Sequence, residues 1–185
     1  MKKQNGFTIL EVSIATAILL VITGTILGAI TYAYRATAMA DNTMIASSAN
    51  ARAVAAMRED LIQTSRNFAG NYAPFIDTDS TELRFRRIDS FSASTGRASY
   101  ESFYTCYFLD TSKSILYRRY RDLSGTLLTT PLSLALAPHV TVFTPAIDTD
   151  AKTVTITLTT SRGESARGED ASTTRTVIIK PFNID

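Results

Sequence analysis

The most apolar part of the chain is one stretch near its amino terminus. Residues 12–34 contain no charged residue and no proline. At about 1.5 Å of rise per residue, a helix over this stretch would cross the roughly 30 Å hydrocarbon core of a bilayer. The pattern therefore predicts a membrane-spanning helix, preceded by a short leader that contains Lys2 and Lys3.

The helical pattern continues over residues 35–69 but becomes amphipathic. This part has no proline or glycine before residue 69, and alanine is abundant. Apolar residues recur there at spacings of three, four and seven, which is the period of a helix with one buried face: Val54, Met57, Leu61 and Phe68. Charged residues fill the predicted outward face: Arg52, Arg58, Glu59 and Asp60. We predict one helix that runs from the membrane into a globular domain and is ended by Gly70.

After Gly70 the period changes to two, which is typical of half-buried strands. The predicted strands are residues 83–88, 100–109, 114–120, 139–146, 153–160 and 174–180. Polar segments 110–113 and 148–152 have the length and chemistry of hairpin turns. Three segments are predicted to lack strands: a Ser-rich loop at 90–99, an irregular connection with one short helical turn at 123–137, and a mobile polar loop at 161–172. The pattern predicts an α+β fold, with the long helix packed on an antiparallel β-sheet.

One charged residue, Glu11, lies at the beginning of the apolar helix, where burial in lipid would cost a few kcal/mol. It follows a basic leader that ends in Gly6 and then Phe7-Thr8-Ile9-Leu10. A plain membrane anchor has no use for this carboxylate. The whole arrangement resembles the class III signal of type IV prepilins and type II secretion pseudopilins.

The resemblance implies how this terminus is processed and used. In that family a prepilin peptidase cuts after the glycine, here Gly6, and methylates the new amino terminus, here Phe7. The glutamate, here Glu11, meets the terminal amine of a neighbouring filament subunit. An ammonium and a carboxylate, each costly alone in lipid, neutralise one another only when the subunits stack in the right register.

Other interpretations of this terminus remain open. A plain single-pass anchor explains the length and the two lysines but not Glu11. A secretory signal is suggested by the small residues Ala38-Met39-Ala40, although the apolar run is about twice the usual length and Arg35 precedes that site.

Two glycines of the apolar helix, Gly24 and Gly28, are further candidate assembly residues. Their spacing fits the pattern of close helix approach, which also occurs often by chance. Each lowers helix propensity by about 1 kcal/mol relative to alanine. We expect a continuous helix in the isolated subunit that stretches locally in a filament.

Composition adds few functional candidates. The chain has 19 Lys and Arg against 17 Asp and Glu, and loss of a leader with Lys2 and Lys3 would balance them, so no basic nucleic-acid surface is predicted. Cys106 is the single cysteine and is predicted to be a buried thiol, unlike the disulfide cysteines of many major type IV pilins.

Three sets of polar residues are candidate sites. His139 is the single histidine and begins a predicted strand, and no nucleophile motif accompanies it. Asp148 and Asp150 would suit calcium, but their segment lacks the glycine and distal glutamate of a known loop, which favours a solvated turn. Two basic clusters on predicted strands would face water, acidic partners or lipid headgroups: Arg84, Arg86, Arg87, Arg118, Arg119 and Arg121.

The sequence thus predicts a structural subunit without catalytic, cofactor or metal residues. The resemblance divides the chain into a leader (1–6), a transmembrane assembly helix (7–34), its amphipathic continuation (35–69) and a periplasmic β-rich part (70–185). It implies as partners other pilin or pseudopilin subunits, prepilin peptidase, an inner-membrane assembly platform and the lipid bilayer. Within the family that the chain resembles, the mature length, the missing disulfide and the long strand-rich region look more like a minor subunit than a major pilin, with J-type pseudopilins as the most similar class. The alternative is a membrane-tethered periplasmic binding protein or hydrolase with a pilin-like signal.

Overall fold

The computed structural model describes residues 7–64, 73–77, 81–95, 97–162 and 171–181. The leader with Gly6, the predicted helix end at Phe68 and Gly70, and most of the predicted loop 161–172 lie outside these residues. The chain divides into two compact units, with the boundary between Asp41 and Asn42.

One helix, α1 (Ile9–Ile62), begins in the amino-terminal unit and continues without a break into the second unit. It passes Gly24 and Gly28 without a break, as predicted. Its apolar part has a mean hydropathy of 2.2 and is long and apolar enough to cross a membrane. Serine and threonine hydroxyls there donate to carbonyls three or four residues earlier, so they need no partner in lipid: Ser13, Thr16, Thr23, Thr25, Thr31 and Thr37.

The prediction that the helix extends to about residue 69 is wrong, because α1 ends at Ile62. The carbonyl of Gln63 accepts the N–H of Ile88 at 2.8 Å. Thr64 forms a β-bridge with Arg87, and its hydroxyl donates to the carbonyl of Arg86 at 2.9 Å. The backbone therefore leaves the helix to pair with a strand-like segment.

The second half of α1 buries a narrow stripe, which consists of Ala46, Ala49, Asn50, Ala53, Met57, Asp60 and Leu61. Met57 and Leu61 lie in the core and Val54 packs against it, as predicted. The alanines are small enough to let the sheet approach the helix closely. Asp60 was predicted to face outward and is instead buried. The sequence pattern failed there because the sheet supplies partners for its charge.

The described residues after the helix form ten strands: β1 (Phe75–Asp77), β2 (Glu82–Phe85), β3 (Ile88–Ser92), β4 (Arg97–Tyr100), β5 (Tyr104–Asp110), β6 (Ile115–Arg121), β7 (Leu134–Pro138), β8 (Val140–Asp148), β9 (Thr153–Arg162) and β10 (Ala171–Ile179). They form an antiparallel five-stranded sheet in the order β1-β2-β5-β6-β7, a three-stranded sheet in the order β10-β9-β8, and the β3–β4 hairpin. Helix and sheets share one core, which includes Met57, Phe85, Tyr107, Leu116 and Ile156. The α+β architecture is confirmed.

The β5–β6 and β8–β9 hairpins and the last strand are confirmed, but other predictions need correction. The predicted loop 90–99 is largely the β3–β4 hairpin, whose residues are exposed or half-buried and therefore lack an apolar alternation. The connection 123–137 has no helical turn and ends in β7. The predicted strand 83–88 is divided between β2 and β3, the predicted strand from residue 100 begins at Tyr104, and the short strand β1 was not predicted.

Candidate functional site

The first turn of α1 is closed by a reciprocal pair of hydrogen bonds between Thr8 and Glu11. The backbone N–H and hydroxyl of Thr8 donate to Oε2 of Glu11 at 2.9 and 3.1 Å. The N–H of Glu11 donates to the Thr8 hydroxyl at 3.2 Å, and that of Val12 donates to the Thr8 carbonyl. This is a capping box, in which two otherwise unpaired helix-start donors are satisfied. Glu11 therefore has a local role that the sequence interpretation missed, although the T-x-x-E spacing contained the signal.

The Glu11 carboxylate still has one oxygen to offer. Both bonds from Thr8 go to Oε2, and within residues 7–64 no donor reaches Oε1. A carboxylate can accept bonds on both oxygens at once. The helix start can thus hold Glu11 in place while its other oxygen accepts a cation from outside the chain.

The side chains around Glu11 are apolar and exposed. Phe7 is 86% exposed and Ile9 is 88% exposed, and residues 7–35 are all exposed. An apolar surface of this size is normally covered by lipid or by other helices. After Glu11, the next charged residue along the helix is Arg35, so within residues 7–64 no basic residue lies near Glu11 in the sequence.

Gly24 and Gly28 are also open to partners. A Cβ atom built on either glycine would meet nothing within 4 Å. The described structure of a single chain therefore gives no steric reason for glycine at these positions. A reason must come from helix propensity or from packing against another molecule.

The predicted basic clusters are mostly internal ion pairs and not a free basic surface. Asp60 accepts from Arg87 at 3.0 Å, from Arg118 at 2.8 Å and from the Tyr107 hydroxyl at 2.5 Å. Arg87 also pairs with Glu101 at 2.6 Å, and these carboxylates raise its pKa. Sequence reasoning could not find this network, because its members come from distant parts of the chain.

The other basic residues divide between ion pairs, backbone bonds and stacking. Glu82 is buried and pairs with Arg84 at 2.9 Å and Arg121 at 2.8 Å. Arg86 donates to backbone carbonyls of β4 and the residue after it. Only Arg119 contacts aromatic rings without an ion pair to a described residue. The expectation of a solvated or lipid-facing cluster is therefore wrong for most of these arginines.

The remaining candidates are structural in the described part of the chain. Cys106 is fully buried as predicted, and burial raises the pKa of its thiol to about 12. His139 has a positive φ of 62° at the junction of β7 and β8, and its carbonyl accepts the N–H of Ser161. The Asp148 carboxylate accepts the N–H groups of Asp150 and Ala151, as in a solvated turn. Among the described residues no group of three or more His, Cys, Asp or Glu is arranged to hold a metal ion.

Comparison with protein families identifies residues 1–27 as the prokaryotic N-terminal methylation motif. This confirms the predicted type IV pilin-like terminus and the motif that prepilin peptidase processes. With the long apolar helix, it supports membrane anchoring and assembly with other pilins. Neither curated proteins nor solved structures gave a match.

Proposed function

We propose that this chain is a minor structural subunit of a type II secretion pseudopilus or type IV pilus, similar to J-type pseudopilins. The observation that carries the proposal is the methylation motif followed by an exposed apolar helix. The first turn of this helix contains one acidic residue, Glu11. The precursor lies in the inner membrane with its second unit in the periplasm. Prepilin peptidase cuts between Gly6 and Phe7, and the assembly platform moves the mature subunit into the filament.

The capping box supports a specific role for Glu11 in this cycle. Before assembly, the bonds from Thr8 offset part of the cost of a carboxylate at the membrane boundary. During assembly, Oε1 accepts the Phe7 amine of a neighbouring subunit without loss of the cap. The ion pair then specifies the register between subunits more than it adds stability.

Gly24 and Gly28 supply local flexibility in the same helix. Since a side chain at either position would meet no atom of the described residues, their low helix propensity lets the helix stretch when it packs among other helices. The motif suggests a structural protein and not an enzyme, and the buried Cys106 and turn-bound Asp148 are consistent with that.

The test is recovery of partner subunits after crosslinking in membranes that contain the processed protein. We expect Glu11→Lys, which would place two positive charges together, to lose pilin-like partners while processing stays intact. Glu59→Lys is the matched control, because Glu59 is exposed in the same helix. Normal recovery with Glu11→Lys, or a ligand-binding activity that the second unit retains alone, would contradict the filament role.

A further inference from the structure

The five-stranded sheet has a face that points away from α1. Tyr107 reaches Asp60 of the helix, so its neighbours Cys106 and Phe108 point to the opposite side. On that side, Arg84 and Arg121 are balanced by Asp77 and Glu82, with which they form ion pairs. This part of the face carries no net charge.

Arg119 adds one positive charge to the same face. It lies opposite Cys106 in the register of β5 and β6. Its guanidinium carbon is 3.6 Å from the ring centre of Phe108 and 5.9 Å from that of Tyr117. No described carboxylate lies within ion-pair distance of it, and Glu82 and Asp110, whose charges act on its pKa, form their bonds with other residues. Glu82 binds Arg84 and Arg121, and Asp110 accepts bonds from Ser112 and Lys113.

This arginine is both partly desolvated and held in a fixed plane. Burial lowers the pKa of Arg119, and that is the largest influence on it. Stacking on Phe108 fixes the guanidinium plane but uses none of its N–H donors. A planar guanidinium with available N–H groups suits bidentate binding of a carboxylate. Arginine and aromatic residues are also enriched among the residues that contribute most of the binding energy at protein interfaces.

We propose that Phe108, Arg119 and Tyr117 form a docking site for a carboxylate side chain on a neighbouring subunit of the filament. The proposal rests on the proposed function. It adds a contact between the second units of neighbouring subunits to the helix contact at Glu11. A protein carboxylate fits better than a lipid surface, because attraction to anionic lipid needs several basic residues together. Here the adjacent Arg84 and Arg121 are already neutralised.

The test uses photocrosslinking amino acids in the full-length protein in its native membrane. One probe replaces Ala135, which is exposed and pairs with Tyr117 in the sheet. A second replaces Ile18 on the exposed apolar helix. We expect the Ala135 probe to crosslink to a pilin-like subunit next to an Asp or Glu. Arg119→Gln should reduce that product about tenfold, as for loss of a charged hydrogen bond, whereas Arg175→Gln on β10 should leave it unchanged.

A charge exchange separates loss of the contact from loss of folding. Arg119→Glu should abolish the Ala135 crosslink, and replacing the mapped partner carboxylate by arginine should restore it, which a misfolded domain would not allow. A crosslink to lipid, or one unaffected by Arg119→Gln, would overturn the docking site. A crosslink from Ile18 with none from Ala135 would also overturn it but leave the proposed function standing. Absence of pilin-like products from both probes would contradict the proposed function itself.

Discussion

The Glu11 carboxylate accepts two hydrogen bonds from Thr8 through one oxygen, at 2.9 and 3.1 Å. A carboxylate that would only destabilise a simple membrane anchor therefore caps the N-terminus of its own helix. Capping and intersubunit pairing are separate roles of this carboxylate. An uncharged amide can accept the capping hydrogen bonds, but it cannot form an ion pair with an amine.

Glu11→Gln separates these two properties. The glutamine keeps an oxygen for Thr8, so the first turn of the helix should retain its amide-exchange protection. It lacks the negative charge, so partner recovery should fall, and Glu11→Ala should lower it to the same extent. Thr8→Val should do the reverse, with loss of about 1 kcal/mol of cap stability and retained pairing. Full partner recovery with Glu11→Gln would show that the charge has no role.

The double variant Gly24→Ala/Gly28→Ala tests helix flexibility in assembly. The added methyl groups meet no atom within 4 Å, and each substitution favours the helix by about 1 kcal/mol. The isolated subunit should stay folded, while incorporation into filaments becomes less efficient. Unchanged efficiency and unchanged subunit rise, measured by electron microscopy, would exclude glycine-dependent flexibility.

Asp60 should be a charged residue whose loss strongly destabilises the second unit. Asp60→Ala removes the shared partner of Arg87 and Arg118 and leaves the buried Tyr107 hydroxyl without its carboxylate. Loss of one partner from a buried ion pair typically costs about 3 kcal/mol or more. Urea unfolding of the mature protein in detergent, followed by tyrosine fluorescence, measures the effect. Its exposed neighbour provides the control, and a Glu59→Gln variant should change by less than about 0.5 kcal/mol.

Because the Cys106 thiol is buried, we expect the folded protein to lose stability at alkaline pH. Its thiol has an ordinary pKa of 9.0 and a folded-state pKa of about 12, so only the unfolded chain loses this proton readily. The stabilisation is complete below pH 9 and is lost as the pH rises from 9 towards 12, by at most about 1.4 kcal/mol per pH unit. Urea unfolding at pH 8 and pH 10 should therefore show a smaller difference in Cys106→Ala than in the wild type. Equal differences would show that the thiol is not protected by burial.

The sequence predicted elements whose patterns are local. The apolar helix, the β5–β6 hairpin around residues 110–113 and the buried Cys106 each depend on neighbours close in the chain. The methylation motif is equally local, because a peptidase reads it as a linear segment.

Features that depend on distant contacts could not be predicted in this way. Asp60 belongs by spacing to the polar face of α1, and its burial requires arginines from β6 and from the segment before β3. The helix end at Ile62 likewise depends on pairing of Thr64 with Arg87. β7 contains few of the residues typical of strands, and pairing with β6 makes it one.

Intact mass of the protein extracted from membranes tests directly whether the chain is cut and methylated as a prepilin. We expect a chain that begins at Phe7 and carries one additional methyl group, because Gly6-Phe7 alone combines the basic leader, the glycine and the downstream Glu11. Gly6→Leu should leave the precursor uncut. A wild-type chain that begins at Met1, or at Asp41 after Ala38-Met39-Ala40, would contradict processing as a prepilin.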